Sequence, residues 1–152
     1  ILLVFAHSHC PCSAASVGEL ERLMPFLKDK VDVTIVFTQP KGRSPAWVQS
    51  PLWDKAKDIP GVNTAIDPHY QETDLFGART SGQVFLYDGK GALVFSGGIT
   101  PARGHMGDSQ GRNLILSWTE GKPVERKIAQ VFGCALKEGQ LVPKSETNLG
   151  ER

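Results

Sequence analysis

The sequence predicts an α/β fold, a central mixed β-sheet flanked by helices in a three-layer sandwich, and two patterns carry that expectation. The first is an apolar run, Ile1 to Ala6, which passes through His9-Cys10-Pro11-Cys12 into helical periodicity and then into a second β-rich run. The second is a turn signal, Asp88-Gly89-Lys90-Gly91, set between two further β-rich segments. At 152 residues and 40% hydrophobic content, the chain suffices for one domain whose core needs no disulfide staples.

Ile1 to Phe5 is continuously apolar, which suits a buried parallel strand. From Pro11 to Leu27, Val17, Leu20, Leu23, Met24 and Leu27 recur at helical spacing and leave Glu19, Glu21 and Arg22 for the solvent side. Val31 to Phe37 is β-branched and alternating, a second parallel strand reached by crossover from that helix. Gln39 to Pro51 is a loop with a short helical turn near Trp47, because Pro40, Pro45, Gly42 and Ser44 interrupt any longer element. Leu52 to Lys57 is a short helix, Gly61 to Ile66 a weak strand, and Pro68 to Phe76 a helix stopped by Gly77. Gln83 to Tyr87 and Leu93 to Ser96 form a hairpin, and Asp108 to Trp118 a final helix. The stretch beyond Lys122 is polar, so the domain is assigned to residues 1–136 and a C-terminal tail to residues 137–152.

Charge excludes one class of partner. With 17 basic against 16 acidic residues, and no basic cluster to track a phosphate backbone, nucleic-acid binding is not expected. No apolar run reaches the roughly 20 residues that span a bilayer. The chain opens inside a strand at Ile1, so an upstream signal or anchor is expected to precede it, and an extracytoplasmic, periplasm-facing location goes with that reading.

The chemistry concentrates at Cys10-Pro11-Cys12. Proline between the cysteines suits the first helical position, which makes Cys10 the N-cap and puts Cys12 in the first turn. Unpaired backbone N–H groups and the positive end of the helix dipole then face Cys10 and favour its thiolate, the form that attacks disulfides and binds metals. A lowered pKa is expected there. Cys134 is the odd cysteine: a buried thiol, a resolving partner or a third ligand. His9 is placed to tune Cys10 or ligate a metal, and Arg79 to stabilise a thiolate. The glycine-dense stretch Gly97 to Asp108 carries Arg103 and His105 and is expected either to cover the cysteines or to bind an anion.

The strand with Cys10-Pro11-Cys12, the segment Phe76 to Asp88, and Gly133-Cys134-Ala135-Leu136-Lys137 together resemble the thioredoxin-like superfamily, nearest its redoxin (AhpC/TSA) branch and RedB-type proteins. The resemblance implies a thiol-disulfide oxidoreductase with Cys10, Cys12 and Cys134 as its catalytic set. It also implies that Ser81 and Gly82 stand where thioredoxins place the residue before their cis-proline and the proline itself. Two departures matter. The cysteines here are separated by one residue rather than two, so their ring is more strained and more oxidising. Peroxiredoxins carry a threonine three residues before the peroxidatic cysteine, where this chain has His7, which makes peroxidase activity the lesser expectation.

The leading expectation is therefore disulfide exchange with thiol- or disulfide-containing proteins, Cys10 attacking, Cys12 resolving and Cys134 storing a second oxidising equivalent, with no bound cofactor. Two alternatives stand beside it. One is copper or zinc binding or delivery through Cys10, Cys12 and members of the set His9, His105 and Cys134. The other is a binding module that keeps the fold without the chemistry.

Overall fold

The structure, a computed structural model, describes residues 1–124 and 127–137. Its elements in chain order are β1 (Leu2–Ala6), α1 (Pro11–Leu27), β2 (Val33–Gln39), α2 (Pro45–Val48), α3 (Pro51–Lys57), β3 (Val62–Pro68), α4 (Gln71–Phe76), β4 (Gln83–Tyr87), β5 (Leu93–Gly97) and α5 (Gln110–Thr119). The strands form one mixed sheet in the order β3-β2-β1-β4-β5. β1, β2 and β3 run parallel, while β4 is antiparallel to β1 and β5 antiparallel to β4.

Strand register divides the core between two faces, because successive side chains point to opposite sides. Leu2, Val4 and Ala6 face one side with Val33, Ile35, Phe37, Val84 and Leu86. There they pack under Val17, Leu20, Leu23 and Leu27 of α1, Trp53 and Ala56 of α3, and Ile115 of α5. Each large side chain fully withdrawn from water contributes about 1.5–3 kcal/mol, so this face dominates stability. Phe5, Val36 and Phe85 face the other side, where Phe76 of α4, Ala78 and Leu136 cover them. Phe5 meets Phe85 edge to face at 5.7 Å and Phe76 at 5.8 Å.

Two sequence expectations are revised. Glu19 is not on the solvent side: it is fully buried, since α5 and the loop after β5 cover that flank of α1. Arg112 of α5 and Arg22 meet its carboxylate at 3.3 Å and 3.0 Å, and the Gly107 amide donates to it at 2.9 Å. α4 starts at Gln71 rather than Pro68, because β3 runs on through Pro68 and both His69 and Tyr70 take left-handed backbone angles. The carboxylate of buried Asp67 accepts from the Glu72 and Thr73 amides, each at 2.8 Å, and supplies the cap that Tyr70 cannot.

The described part of the polar stretch after Lys122 also packs on the domain. Residues 127–137 run along the sheet rather than away from it: Ile128 bridges Ser96 of β5, and Ala129, Val131 and Leu136 are buried. Of the expected tail, residues 138–152 lie outside the described residues.

Gly111 lets α5 close on the sheet. A Cβ there would lie 1.8 Å from the Gly98 carbonyl oxygen, and backbone cannot yield as a flexible side chain can. Gly111→Ala is expected to destabilise the fold by about 3 kcal/mol, the upper part of the usual overpacking range. Urea unfolding checks this, and a midpoint unchanged from wild type would contradict the packing described.

Candidate functional site

The site forms where β1 ends and α1 begins. His7 to His9 make the turn between them, with the Cys10 amide donating to the His7 carbonyl at 3.1 Å and the His7 amide to Ser13 Oγ at 2.9 Å. The helix then starts as the sequence predicts: Cys10 is an extended N-cap, Pro11 opens the helix, and Ala14 N–H donates to the Cys10 carbonyl at 3.2 Å. The turn is also held from outside. Ser50 Oγ donates to the Ser8 carbonyl at 2.8 Å, and His9 Nε2–H donates to the Trp47 carbonyl at 2.8 Å with the two rings 4.3 Å apart.

Three thiols converge there. Cys10, Cys12 and Cys134 are free, and their sulfurs all lie within 4.8 Å of one another. Cys10 Sγ stands 3.0 Å from Cys134 Sγ, and Cys134 Sγ 4.0 Å from Cys12 Sγ. Cys10 and Cys12 retain only 6% and 5% of their exposure, whereas Cys134 is partly open to solvent.

Cys134 reaches this point by strand pairing. The segment carrying it lies antiparallel to residues 79–81, through the Thr80–Ala135 bridge. Ser81 N–H donates to the Cys134 carbonyl at 2.8 Å, and Leu136 N–H to the Arg79 carbonyl at 2.9 Å. Ser81 Oγ accepts from Cys134 N–H at 3.0 Å and lies 3.4 Å from Cys10 Sγ, so one buried hydroxyl links both cysteines. Gly133 allows the approach, since a Cβ there would sit 2.1 Å from the Ser81 carbonyl oxygen. Gly82 takes a φ of +88°, and a Cβ on it would strike Ser16 Oγ at 2.4 Å.

Burial raises the Cys10 pKa, but the contacts with Cys134 and Ser81 and the Ser13 and Cys12 backbone amides outweigh it, and the net shift is downward from 9.0. The amides close no full cap hydrogen bond and act as oriented dipoles. Cys134 moves the other way. Burial first, then its hydrogen bond to Cys10 and the Cys10 and Cys12 charges, push it up to about 12, with Arg103 opposing. The two shifts are opposite, so Cys10 is the sulfur of the close pair that ionises first and Cys134 the one that keeps its proton longer.

Arg103 Nη2 donates to Cys134 Sγ at 3.3 Å, and contacts with Cys12 and then Cys134 hold the guanidinium in its charged form. The glycine-dense loop thus does carry a cation over the thiols. Buried Glu19 anchors that loop through the Gly107 amide, a part that residue spacing on α1 had concealed.

The other candidates divide. Ser81 joins the sulfurs, while Gly82 supplies a backbone bend whose amide donates to the Phe5 carbonyl at 2.8 Å. His9 spends its Nε2 on Trp47, and His105, exposed, closes a tight turn on Ala102; neither belongs to the group within 4.8 Å. Arg79 contributes backbone: its carbonyl accepts from Leu136 in the strand pairing, and its amide donates to Gln83 Oε1 at 3.1 Å. Three sulfurs this close can hold one soft ion, and they can equally exchange disulfides. A separate apolar groove of about 1000 Å³, lined by Leu3, Val36, Phe76 and Tyr87, lies toward the opposite end of β1 and contains none of the cysteines. No helix among the described residues is long and apolar enough to cross a membrane.

Neither a family model nor a curated protein matches the sequence. Solved structures do. An uncharacterized conserved protein from Geobacillus kaustophilus superposes with a TM-score of 0.67 at 17% identity, over 93% of this chain and 78% of that one. A hypothetical protein from Sinorhizobium meliloti follows at 0.60 and 22%, over 89% and 77%. The pneumococcal exposed lipoprotein thioredoxin from Streptococcus pneumoniae gives 0.56 and 23%, over 79% and 82%. Together with the mixed sheet and its flanking helices, these establish a thioredoxin-like fold.

Because the thiolate is the reactive form, Cys10 alkylation is expected to continue as pH falls below 9.0 and to fade only as pH drops through the lowered pKa. Ser81→Ala removes one lowering contact and is expected to move that midpoint upward. Iodoacetamide labelling across pH, read by peptide mapping, checks both; a Cys10 midpoint at or above 9.0 in wild type contradicts the geometry.

Proposed function

We propose that this chain is a thiol-disulfide oxidoreductase in which Cys10 is the attacking thiolate. The observation that carries the reading is a cysteine at a helix N-terminus whose pKa is lowered although it is buried, with two further thiols in reach. Thioredoxin-like topology supports it, since the sheet delivers that cysteine at the carboxyl end of β1 beside the loop entering β4. Cys10 attacks a substrate disulfide, one sulfur stays as a mixed disulfide, the other leaves as a thiolate, and a neighbouring thiol completes the exchange. Arg103 adds a positive charge that attracts an incoming thiolate.

The substrates in this reading are cysteine-containing proteins in an oxidising, extracytoplasmic compartment. The pneumococcal neighbour, described as an exposed lipoprotein, supports that location. The redoxin branch and the RedB type belong to the same reading, on the motifs around Cys10, Gly82 and Cys134. A second reading, a soft-metal site for copper or zinc, is favoured by one observation: three sulfurs within 4.8 Å, a donor set that suits a thiophilic ion.

Reduction of a small disulfide by the full chain, coupled to a dithiol donor, tests the leading reading. Cys10→Ser is expected to lower the rate to the uncatalysed background, and a rate left unchanged would overturn the assignment. Metal analysis of protein purified without chelators separates the second reading. The redox reading expects far less than one ion per chain, whereas one soft ion per chain, lost in Cys134→Ala, would favour the metal site.

A further inference from the structure

We propose that the working redox couple is Cys10–Cys134, closed by the chain's own strand at residues 133–136, with Cys12 remaining a thiol through the cycle. The inference rests on the oxidoreductase reading and assigns the second sulfur within it.

Geometry favours Cys134 over the sequence neighbour. Cys10 and Cys12 belong to one rigid helical start, with Pro11 fixed between them. Cys134 sits on a separate segment, and from 3.0 Å its sulfur needs to move only about 1 Å to reach the bonding distance of about 2.05 Å. The pairing aims it there: the Thr80–Ala135 bridge, the Ser81 and Leu136 amide bonds and the Ser81 hydroxyl all fix the backbone on either side of the cysteine. Buried Leu136 anchors the far end against Phe5 and Phe85.

The same pairing has a second consequence. An extended peptide adds to a sheet by bonding an exposed backbone edge. Here the backbone of residues 79–81 is already engaged from within, by a strand that itself brings a cysteine to Cys10. The segment thus occupies the backbone edge that an incoming strand would otherwise bond, and it sets its own thiol against Cys10. Cys134 is also the one residue of the three that is not buried.

The steps balance. Cys10 thiolate attacks a disulfide R–S–S–R′, giving Cys10–S–S–R and R′S⁻. Cys134 sulfur, its proton passing to the departing thiolate or to solvent, attacks Cys10 Sγ, releases RS⁻ and forms the Cys10–Cys134 disulfide. Two electrons pass from the cysteine pair to the substrate, which leaves as two thiols. Run in reverse, two substrate thiols are oxidised: RS⁻ attacks Cys10 Sγ and displaces Cys134, then R′S⁻ attacks the substrate sulfur of the mixed disulfide and displaces Cys10.

The test equilibrates the full wild-type chain, metal removed, across glutathione redox buffers, quenches with acid, alkylates free thiols and maps the linked peptides. The expected result is a reversible two-thiol transition with Cys10 joined to Cys134 and Cys12 alkylated. Cys12→Ser is expected to keep a reversible two-thiol transition linking Cys10 to Cys134, and Cys134→Ala to lose it. A Cys10–Cys12 link in wild type, with a Cys134→Ala variant that titrates as wild type does, would overturn this inference and leave the oxidoreductase reading standing. Absence of any reversible transition in wild type would overturn both.

Discussion

The site depends on a short antiparallel pairing between residues 79–81 and 134–136. Without it, Cys10 is a single cysteine at a helix start beside Cys12. With it, Cys10 gains a sulfur neighbour at 3.0 Å and shares a buried serine hydroxyl with that neighbour's backbone. The pairing asks much of its residues: Gly133 must lack a side chain, Ser81 must be buried beneath the strand, and Leu136 must fill the face opposite α1. It is therefore part of the fold's packing as much as of its chemistry.

Burial and charge compete at Cys10, and the outcome follows from the number of groups that face the sulfur. A buried thiol ordinarily stays protonated, because a low-dielectric surrounding penalises the thiolate. Here a serine hydroxyl, a second thiol and two amides at a helix N-terminus overcome that penalty. The same proximity makes Cys134 the partner that keeps its proton, since two thiolates so close would repel. Once Cys10 enters a mixed disulfide, its charge no longer opposes ionisation of Cys134, while Arg103 continues to favour it. Glu19 matters here at a distance, because its buried carboxylate ties α1, α5 and the Arg103 loop together.

Much of the fold was legible in local sequence. The bounds of α1, its cysteine cap and its proline start follow from capping chemistry and helical spacing, which act within one or two turns. The hairpin of β4 and β5 is written in its turn residues. What local patterns could not give were contacts between distant residues. Glu19 lies where an isolated helix would face water, and it is α5 with the loop before it, some 90 positions on, that buries that face. The segment 127–137 lacks strand periodicity because it is bonded to the sheet through isolated bridges rather than a full ladder. Cys134 was readable as a third thiol, but not as the sulfur nearest Cys10, since 124 positions separate them. His9 and His105 read as candidate ligands in sequence, yet a carbonyl of α2 engages His9, and His105 is exposed on a local turn outside the sulfur group.

Amide hydrogen exchange of the reduced, metal-free protein, followed residue by residue, tests most directly whether the closing strand holds in solution. The account predicts that the Ser81, Cys134 and Leu136 amides, all donated across the pairing, are protected to a degree approaching the amides of β1. Exchange of all three at the rate of an unstructured peptide, while β1 stays protected, would contradict it and detach Cys134 from the site.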